Sequence, residues 1–481
     1  MKTTTSAKKQ SGLAVAAGLV LVTALAGAAA RRSGSIEPTL APDGVRRFAA
    51  ASSGPVTFTG SLDKTAVLVG SEPTVRMELV IGGEARKATS GNHLPTDLVV
   101  ILDHSGSMGG EKIEHARAAI RELIGRLGPD DRFGLVTYSS GAGIAIEPAK
   151  ADARAQEGWL ATVAGIGPAA GTNMSSGLDL GIDLIERIRQ PGRVLCAILI
   201  SDGLANEGDP SLEGLVGRAG RTARAEYMLT TIGVGADFNE YLMSALADAG
   251  TGNYYYLKNA TDLAGVFVRE FDAARATIAS GLEVRIDPGD GVEVVDAAGY
   301  PLEKSGNETV FRPGSVFAGQ ERRIWVTLRV PNSAAGEHSL GRFSLAYRDG
   351  AERSTLTFGQ MPRVVSVERE KDFYASVDVD AWTRSVVVDE YNKMQEEVAR
   401  EVKAGNRAAA LSAVKSFRDE TGALNARLQA PAVQQRIDSL QKLEAEVASA
   451  FEGADQAARQ NELSKARSAD ALDQRRAGSK R

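Results

Sequence analysis

The sequence predicts an α/β fold: a doubly wound, mostly parallel sheet, flanked by an antiparallel β-sandwich and followed by an α-helical region. Three observations carry this reading. Between Leu98 and Ile278, near-continuous apolar runs alternate with segments of helical period. On either side of that stretch the hydrophobic period drops to two, as in strands with one face in a core. Beyond Lys371 the helical period returns.

The chain has 481 residues, 43% hydrophobic and 24% charged, which suits several globular domains. Its net charge of −5 provides no global basic field, which speaks against nucleic acid as a partner. The single cysteine, Cys196, sits inside the apolar run Val194–Ile200 and reads as a small core hydrophobe, so no intramolecular disulfide is expected. At the N-terminus, Lys2, Lys8 and Lys9 precede the apolar run Gly12–Ala30, and no acid occurs before Glu37. Residues 1–30 therefore read as an export signal peptide or an N-terminal membrane anchor. Ala26, Ala28 and Ala30 offer cleavage sites, whereas the run is close to the ~20 residues that span a bilayer. Both readings place the bulk of the chain outside the cytoplasm, in the cell envelope or secreted. With no cysteine beside the run, a lipid-modified anchor is excluded.

Residues 31–55 are rich in Ala, Ser, Gly and Pro and read as a flexible linker. In 56–94, Val75, Met77, Leu79 and Ile81 alternate with Arg76, Glu78 and Val80, the pattern of a half-buried strand. The α/β domain is expected over 95–278. Its strands are Leu98–Leu102, Phe133–Tyr138, Val194–Ile200, Met228–Val234 and Tyr254–Leu257, with Ile144–Ile146 weaker. Its helices carry Ile113, Ala116, Ile120 and Leu123, then Leu178, Ile182 and Ile185, then Leu242, Leu246 and Ala249. In 279–362 strands recur at Leu282–Ile286, Ile324–Val330 and Phe343–Tyr347, with a turn at Pro288-Gly289-Asp290-Gly291. Residues 56–94 contain too few strands to bury a core alone. They are expected to pair with the later sandwich, which makes the α/β domain an insertion. Helices follow over 371–462, broken at Pro431, and 463–481 reads as a charged, solvated tail.

The strand at Leu98–Leu102 ends in Asp103-His104-Ser105-Gly106-Ser107. An acid and two hydroxyls at alternate positions before a helix either cap that helix or hold a metal. In doubly wound sheets ligands bind beyond the carboxyl ends of strands. Val194–Ile200 ends likewise in Ser201-Asp202, and a loop before a helix supplies Thr172. Two carboxylates and three hydroxyls form a hard-oxygen set that suits Mg2+ or Mn2+ better than Zn2+.

These residues resemble the von Willebrand factor type A domain with its metal-ion-dependent adhesion site, in the bacterial and inter-alpha-trypsin-inhibitor-heavy-chain-like branch. Asp103, Ser105 and Ser107 match its Asp-x-Ser-x-Ser pattern, and Thr172 and Asp202 follow in the family's order. The flanks MGGEKIEHARAAI, GTNMSSGL, ISDGLANEG and TIGVGADFNEYLMSALADAGTGNYYYL agree, over about Pro95 to Ile278. Ser201 departs from the family's more frequent threonine. The resemblance implies a Rossmann-like fold and an ion bound by Ser105, Ser107 and Thr172, with Asp103 and Asp202 acting often through water. It implies that the acidic side chain of a protein partner completes the coordination. It also implies a last helix that slides on ligand binding, here from Thr261 as N-cap through Leu263, Val266, Phe267, Phe271, Ala274 and Ile278.

Other features read as structural. His104 points away from the oxygen set in an extended strand, His115 lies on the following helix, and Gly233-Val234-Gly235 lacks the spacing of a dinucleotide fingerprint. Tyr254–Tyr256 is expected as a strand with alternate faces. No histidine stands at a strand end beside Asp202 to serve as a general base. Metal-assisted hydrolysis is chemically open, but the expectation is a non-enzymatic binding module. It would serve either adhesion or, as a scaffold, assembly of an envelope complex.

Overall fold

The computed structural model describes residues 47–50, 54–85, 94–202, 205–235, 239–257, 260–453 and 455–476. The export segment at 1–30 and the first part of the expected linker lie outside the described residues. The described chain opens with β1 (Arg47–Ala49), β2 (Val56–Leu62), β3 (Ala66–Leu68) and β4 (Thr74–Gly83). The α/β unit runs through β5 (Thr96–Asp103), α1 (Glu111–Arg126), β6 (Arg132–Tyr138), β7 (Ala142–Lys150), α2 (Ala153–Ala164) and α3 (Met174–Ile188). It continues through β8 (Val194–Ser201), α4 (Leu212–Arg224), β9 (Met228–Val234), α5 (Glu240–Ala249), β10 (Thr251–Leu257) and α6 (Leu263–Arg275). Then come β11 (Thr277–Asp287), β12 (Glu293–Ala297), β13 (Glu303–Ser305), β14 (Glu308–Phe317) and β15 (Glu321–Arg329). They are followed by β16 (Gly336–Ser339), β17 (Arg342–Asp349), β18 (Glu352–Thr357) and β19 (Arg363–Val367). The chain ends in α7 (Glu370–Ser376), α8 (Val379–Ser385), a π-helical turn (Val386–Glu390), α9 (Tyr391–Lys403), α10 (Arg407–Leu428), α11 (Pro431–Ala450) and α12 (Gln456–Arg476).

The α/β sheet has the order β10-β9-β8-β5-β6-β7, parallel except for β7, which is antiparallel to β6. Every residue of β5 is buried, because both its faces are covered. Leu98, Val100 and Leu102 pack against α1 and α6 through Ile113, Ile120, Phe267 and Phe271. Val99 and Ile101 enter the opposite core with Leu178, Ile182 and Ile185 of α3. The order reverses beside β5, whose neighbours are β6 on one side and β8 on the other. That is the switch point where doubly wound sheets leave a crevice at the strands' carboxyl ends.

The antiparallel sheets β1-β2-β4-β15-β12 and β13-β14-β11-β17-β18 share one core, with Phe58, Met77 and Leu79 meeting Phe311, Phe343 and Leu345. β4 pairs with β15 in the register Leu79↔Ile324, so strands on both sides of the α/β unit lie in one sheet. Only Ala276 separates α6 from β11. Asp131 clasps the entry and exit of the unit: it accepts from Thr96 N at 2.8 Å and from Arg275 Nη2 at 2.8 Å. Trp382, Val398, Val414, Val433 and Leu440 form a separate core among α8–α11.

Several expectations are corrected. The linker does not extend to residue 55: Phe48 is buried in β1 and stacks 6.1 Å from Phe358. A lone phenylalanine among small residues has no period to betray a strand. The β unit also runs past residue 362 into β19, and the helices start at Glu370. Thr261 does not cap α6; it lies in a 3-10 turn, Ala260–Asp262, and Ile278 belongs to β11 and the sandwich core. The charged tail is helical as far as Arg476, in α12. Its Arg467 donates to Gln395 at 3.2 Å and Glu446 at 2.8 Å, so hydrogen bonds, together with the packing of Leu463 and the buried Ala471, seat it. Two helices went unanticipated. α2 is capped by Asp152 and buries only Trp159 and Val163, and α4 is capped by Ser211.

Candidate metal centre

The three oxygen side chains after β5 do not cap a helix. The N-cap of α1 is Gly110, and neither it nor Ser105, which caps the 3-10 turn Gly106–Met108, makes a side-chain capping bond. Asp103 Oδ1 instead accepts from Ser105 N at 2.8 Å, and its Oδ2 accepts from Ser201 Oγ at 2.8 Å across the β5–β8 boundary. Ser105 Oγ lies 3.0 Å from Ser107 Oγ, which donates to Asp202 Oδ1 at 2.8 Å. Ser105, through its backbone N and its hydroxyl, and Ser107 thus link the carboxylates of two neighbouring strand ends. Asp103, Ser105 and Asp202 are buried and Ser107 is exposed, so the chain of oxygens runs from the interior to the surface.

The threonine loop is pinned from three sides. Ala169 bridges Ser105, Ser140 N donates to Ala170 O at 2.9 Å, and the Thr172 carbonyl accepts from Asn206 N and Glu207 N. Asn206 Oδ1 accepts from Thr172 N at 3.0 Å, and Asn173 caps α3. Gly171 has φ +78, which strains any other residue, and a Cβ there would lie 2.2 Å from Ser140 Oγ and 2.5 Å from Glu207 Oε1, so those side chains would have to move. Thr172 is buried, and no hydrogen bond to its hydroxyl occurs among the described residues.

Burial pushes the Asp103 carboxyl above the usual range, hydrogen bonds from Ser105 and Ser201 oppose this, and the Asp202 charge adds to it. The neighbouring Asp202 charge thus adds to the cost of ionising Asp103, and a divalent cation would offset it. The donors fit such an ion of the Mg2+ or Mn2+ kind. Among the described residues no three His, Cys, Asp or Glu side chains converge, and the oxygen set is completed by hydroxyls. His104 Nδ1 lies 2.8 Å from the Gly167 carbonyl, away from this set.

Two residues of the site escaped sequence reasoning. Tyr138, at the end of β6, is fully buried; burial and the nearby Asp103 push its phenol well above its ordinary value. Lys112, in the first turn of α1, places Nζ 2.5 Å from Asp202 Oδ2 and 3.3 Å from the Ser107 carbonyl. The helix-start position after Gly109-Gly110 was its only signal. A cavity of about 520 Å3 lies elsewhere, lined by Tyr241, Asp248, Tyr300, Arg323, Arg400 and Lys403, and touches none of the candidate metal-site residues.

The family model for the von Willebrand factor type A domain matches residues 97–269. The uncharacterized protein sll0103 of Synechocystis sp. is 25% identical over 356 residues, 72% of this chain and 83% of that one. Human inter-alpha-trypsin inhibitor heavy chain H4 is 28% identical over 161 residues, 32% of this chain and 17% of the heavy chain. Among solved structures, a von Willebrand factor type A protein from Catenulispora acidiphila superposes with a TM-score of 0.63 at 17% identity, covering 82% of this chain and 91% of that one. The last likeness extends over the fold beyond the α/β unit.

Proposed function

We infer, from the premise that residues 97–269 form a von Willebrand factor type A domain, that this domain binds an acidic group of a protein partner through Mg2+ or Mn2+. Domains of this type typically mediate protein–protein interaction or adhesion and are mostly non-enzymatic. Asp103, Ser105, Ser107, Thr172 and Asp202 would hold the ion. When bound, the ion supplies concentrated positive charge to a partner carboxylate. The chain's own residues do the rest. Ser105 N and Ser201 orient Asp103, Ser107 orients Asp202, and Asn206 with Glu207 fixes the Thr172 loop.

The observation that carries this reading is the hydrogen-bonded run from Asp103 through the backbone N and hydroxyl of Ser105 and the hydroxyl of Ser107 to Asp202, at the switch point of the sheet. Adhesion to another surface or assembly of an envelope complex are the two uses in view, and the lysine-rich, apolar N-terminal segment supports a site outside the cytoplasm. Among the described residues no helix is long and apolar enough to cross a membrane. The test is a pull-down from envelope extract with and without chelator, repeated with Asp103→Ala. Partner capture that survives both chelator and substitution would refute the reading.

A further inference from the structure

We propose that Lys112 is a resident counter-ion of the metal centre, holding Asp202 while no divalent ion is bound and competing with such an ion for that carboxylate. This rests on the metal-site reading above and adds the residue that sets the site's affinity. The Asp202 side chain is fully buried, and the cation found on it is Lys112, at 2.5 Å, with a side chain 31% exposed. The ammonium is held additionally by the Ser107 carbonyl at 3.3 Å. On its far side a Cβ added at Gly235, at the end of β9, would come within 3.3 Å of Lys112 Cε, so that backbone walls the lysine stem. The ammonium therefore sits in a built position between three loops of the carboxyl edge.

Charge arithmetic gives the consequence. Asp103 and Asp202 together carry two negative charges, and Lys112 offsets one. An incoming divalent ion meets an ammonium already on one of its two carboxylates, and like charges at such range repel strongly. The Lys112 side chain keeps a partly exposed side and a flexible four-carbon stem, so it can swing off Asp202 toward solvent without backbone movement. Loading then exchanges one cation for another, and the empty site is never left with two uncompensated buried carboxylates.

The experiment is Mn2+ titration of the full chain by calorimetry after chelation and desalting, for wild type, Lys112→Met and Lys112→Arg. Methionine keeps the stem and the helix propensity while removing the charge; arginine keeps the charge. Lys112→Met should bind Mn2+ at least about tenfold more tightly than wild type, and Lys112→Arg within about threefold. Thermal melts give a second readout: without metal Lys112→Met should melt below wild type, and with saturating Mn2+ the order should reverse. If wild type binds Mn2+ and Lys112→Met binds no more tightly, Lys112 merely positions Asp202 and the counter-ion proposal is overturned, with the metal reading intact. If neither protein binds Mn2+, the metal reading itself falls and takes this proposal with it.

Discussion

The buried carboxylate of Glu270 on α6 accepts a 2.6 Å hydrogen bond from the phenol of Tyr255 on β10. Asn253 Nδ2 donates to the same oxygen at 2.9 Å, and Thr230 Oγ1 on β9 donates to the other at 2.6 Å. Three neutral donors on one carboxyl group fix α6 against two strands in a single register. Glu270→Ala strands them and should lower unfolding free energy by about 2–4 kcal/mol in urea melts. A loss under about 1 kcal/mol would mean that apolar packing alone seats the helix. The network also bears on the sliding that the family resemblance implies. A displaced α6 must find Glu270 a second set of donors, so relaxing the network should make any such shift easier to populate.

Asp103→Ala should abolish Mg2+ binding and leave the fold intact. Burial disfavours the Asp103 charge, but its removal also strands the buried donors Ser105 N and Ser201 Oγ. In chelator the variant should stay folded and melt close to, or a few degrees below, wild type. Added Mg2+ should raise the wild-type melting temperature and leave the variant's unchanged. Calorimetry showing undiminished Mg2+ affinity in the folded variant would sink the metal centre.

Gly171→Ala tests the threonine loop against a matched control. Gly171 and Gly192 have nearly equal φ, +78 and +79, but a Cβ at Gly192 meets nothing within 4 Å. Both substitutions should cost about 1 kcal/mol of backbone strain. Gly171→Ala should additionally push Thr172 out of place and weaken Mn2+ binding by about tenfold. Equal Mn2+ affinities in the two variants would show that Ser140 and Glu207 give way and that the loop keeps its place without glycine.

Acid sensitivity should trace partly to Glu283 on β11. Burial pushes its carboxyl up, but hydrogen bonds from Arg285 and Arg312, at 2.7 and 2.9 Å, outweigh this and hold it below its ordinary value of 4.5. The folded chain thus binds that proton more weakly than the unfolded chain. The stabilisation is complete above the ordinary value and disappears as pH falls through the lower, folded-state value. Glu283→Gln should be less stable than wild type at neutral pH, and the gap should close on acidification. A gap that stays constant with pH would assign the effect to packing.

What could be read from the sequence follows physical signal strength. β5 and β8 are apolar end to end and stop at oxygen side chains, so both the strands and the candidate ligands Asp103 and Asp202 stand out. Lys112 does not, because a lysine in a helix's first turn looks like any solvated charge and its partner lies 90 residues away. Glu270 hides for the same reason, as an acid on the face of an amphipathic helix whose donors come from other strands. α2 buries only Trp159 and Val163, the stripe of α4 consists of Leu215 with the small residues Ala219 and Thr222, and α12 offers little beyond Leu463 and Ala471 to set an apolar period. Periodicity reports apolar burial; pairings between polar groups far apart in the chain leave no local trace.

On the ribosome the two halves of the sandwich are born far apart in time. Glu78 on β4 and Arg323 on β15 pair across 245 residues, roughly 12–50 s of synthesis at ~5–20 residues per second. Through that delay β4 has β2 beside it and an open edge where β15 will dock, a template for unwanted pairing. The α/β unit is complete well before the delay ends. Once Asp131 has joined Thr96 to Arg275, the end of α6 is anchored beside the start of β5, and β11 emerges one residue later from a fixed point. Assembly from the inside outward would make the inserted unit the jig on which the older and younger strands are brought into line. Variants that loosen the Asp131 clasp should therefore betray themselves during refolding, as aggregation of the waiting β2–β4 pair, before any change in the finished protein is visible.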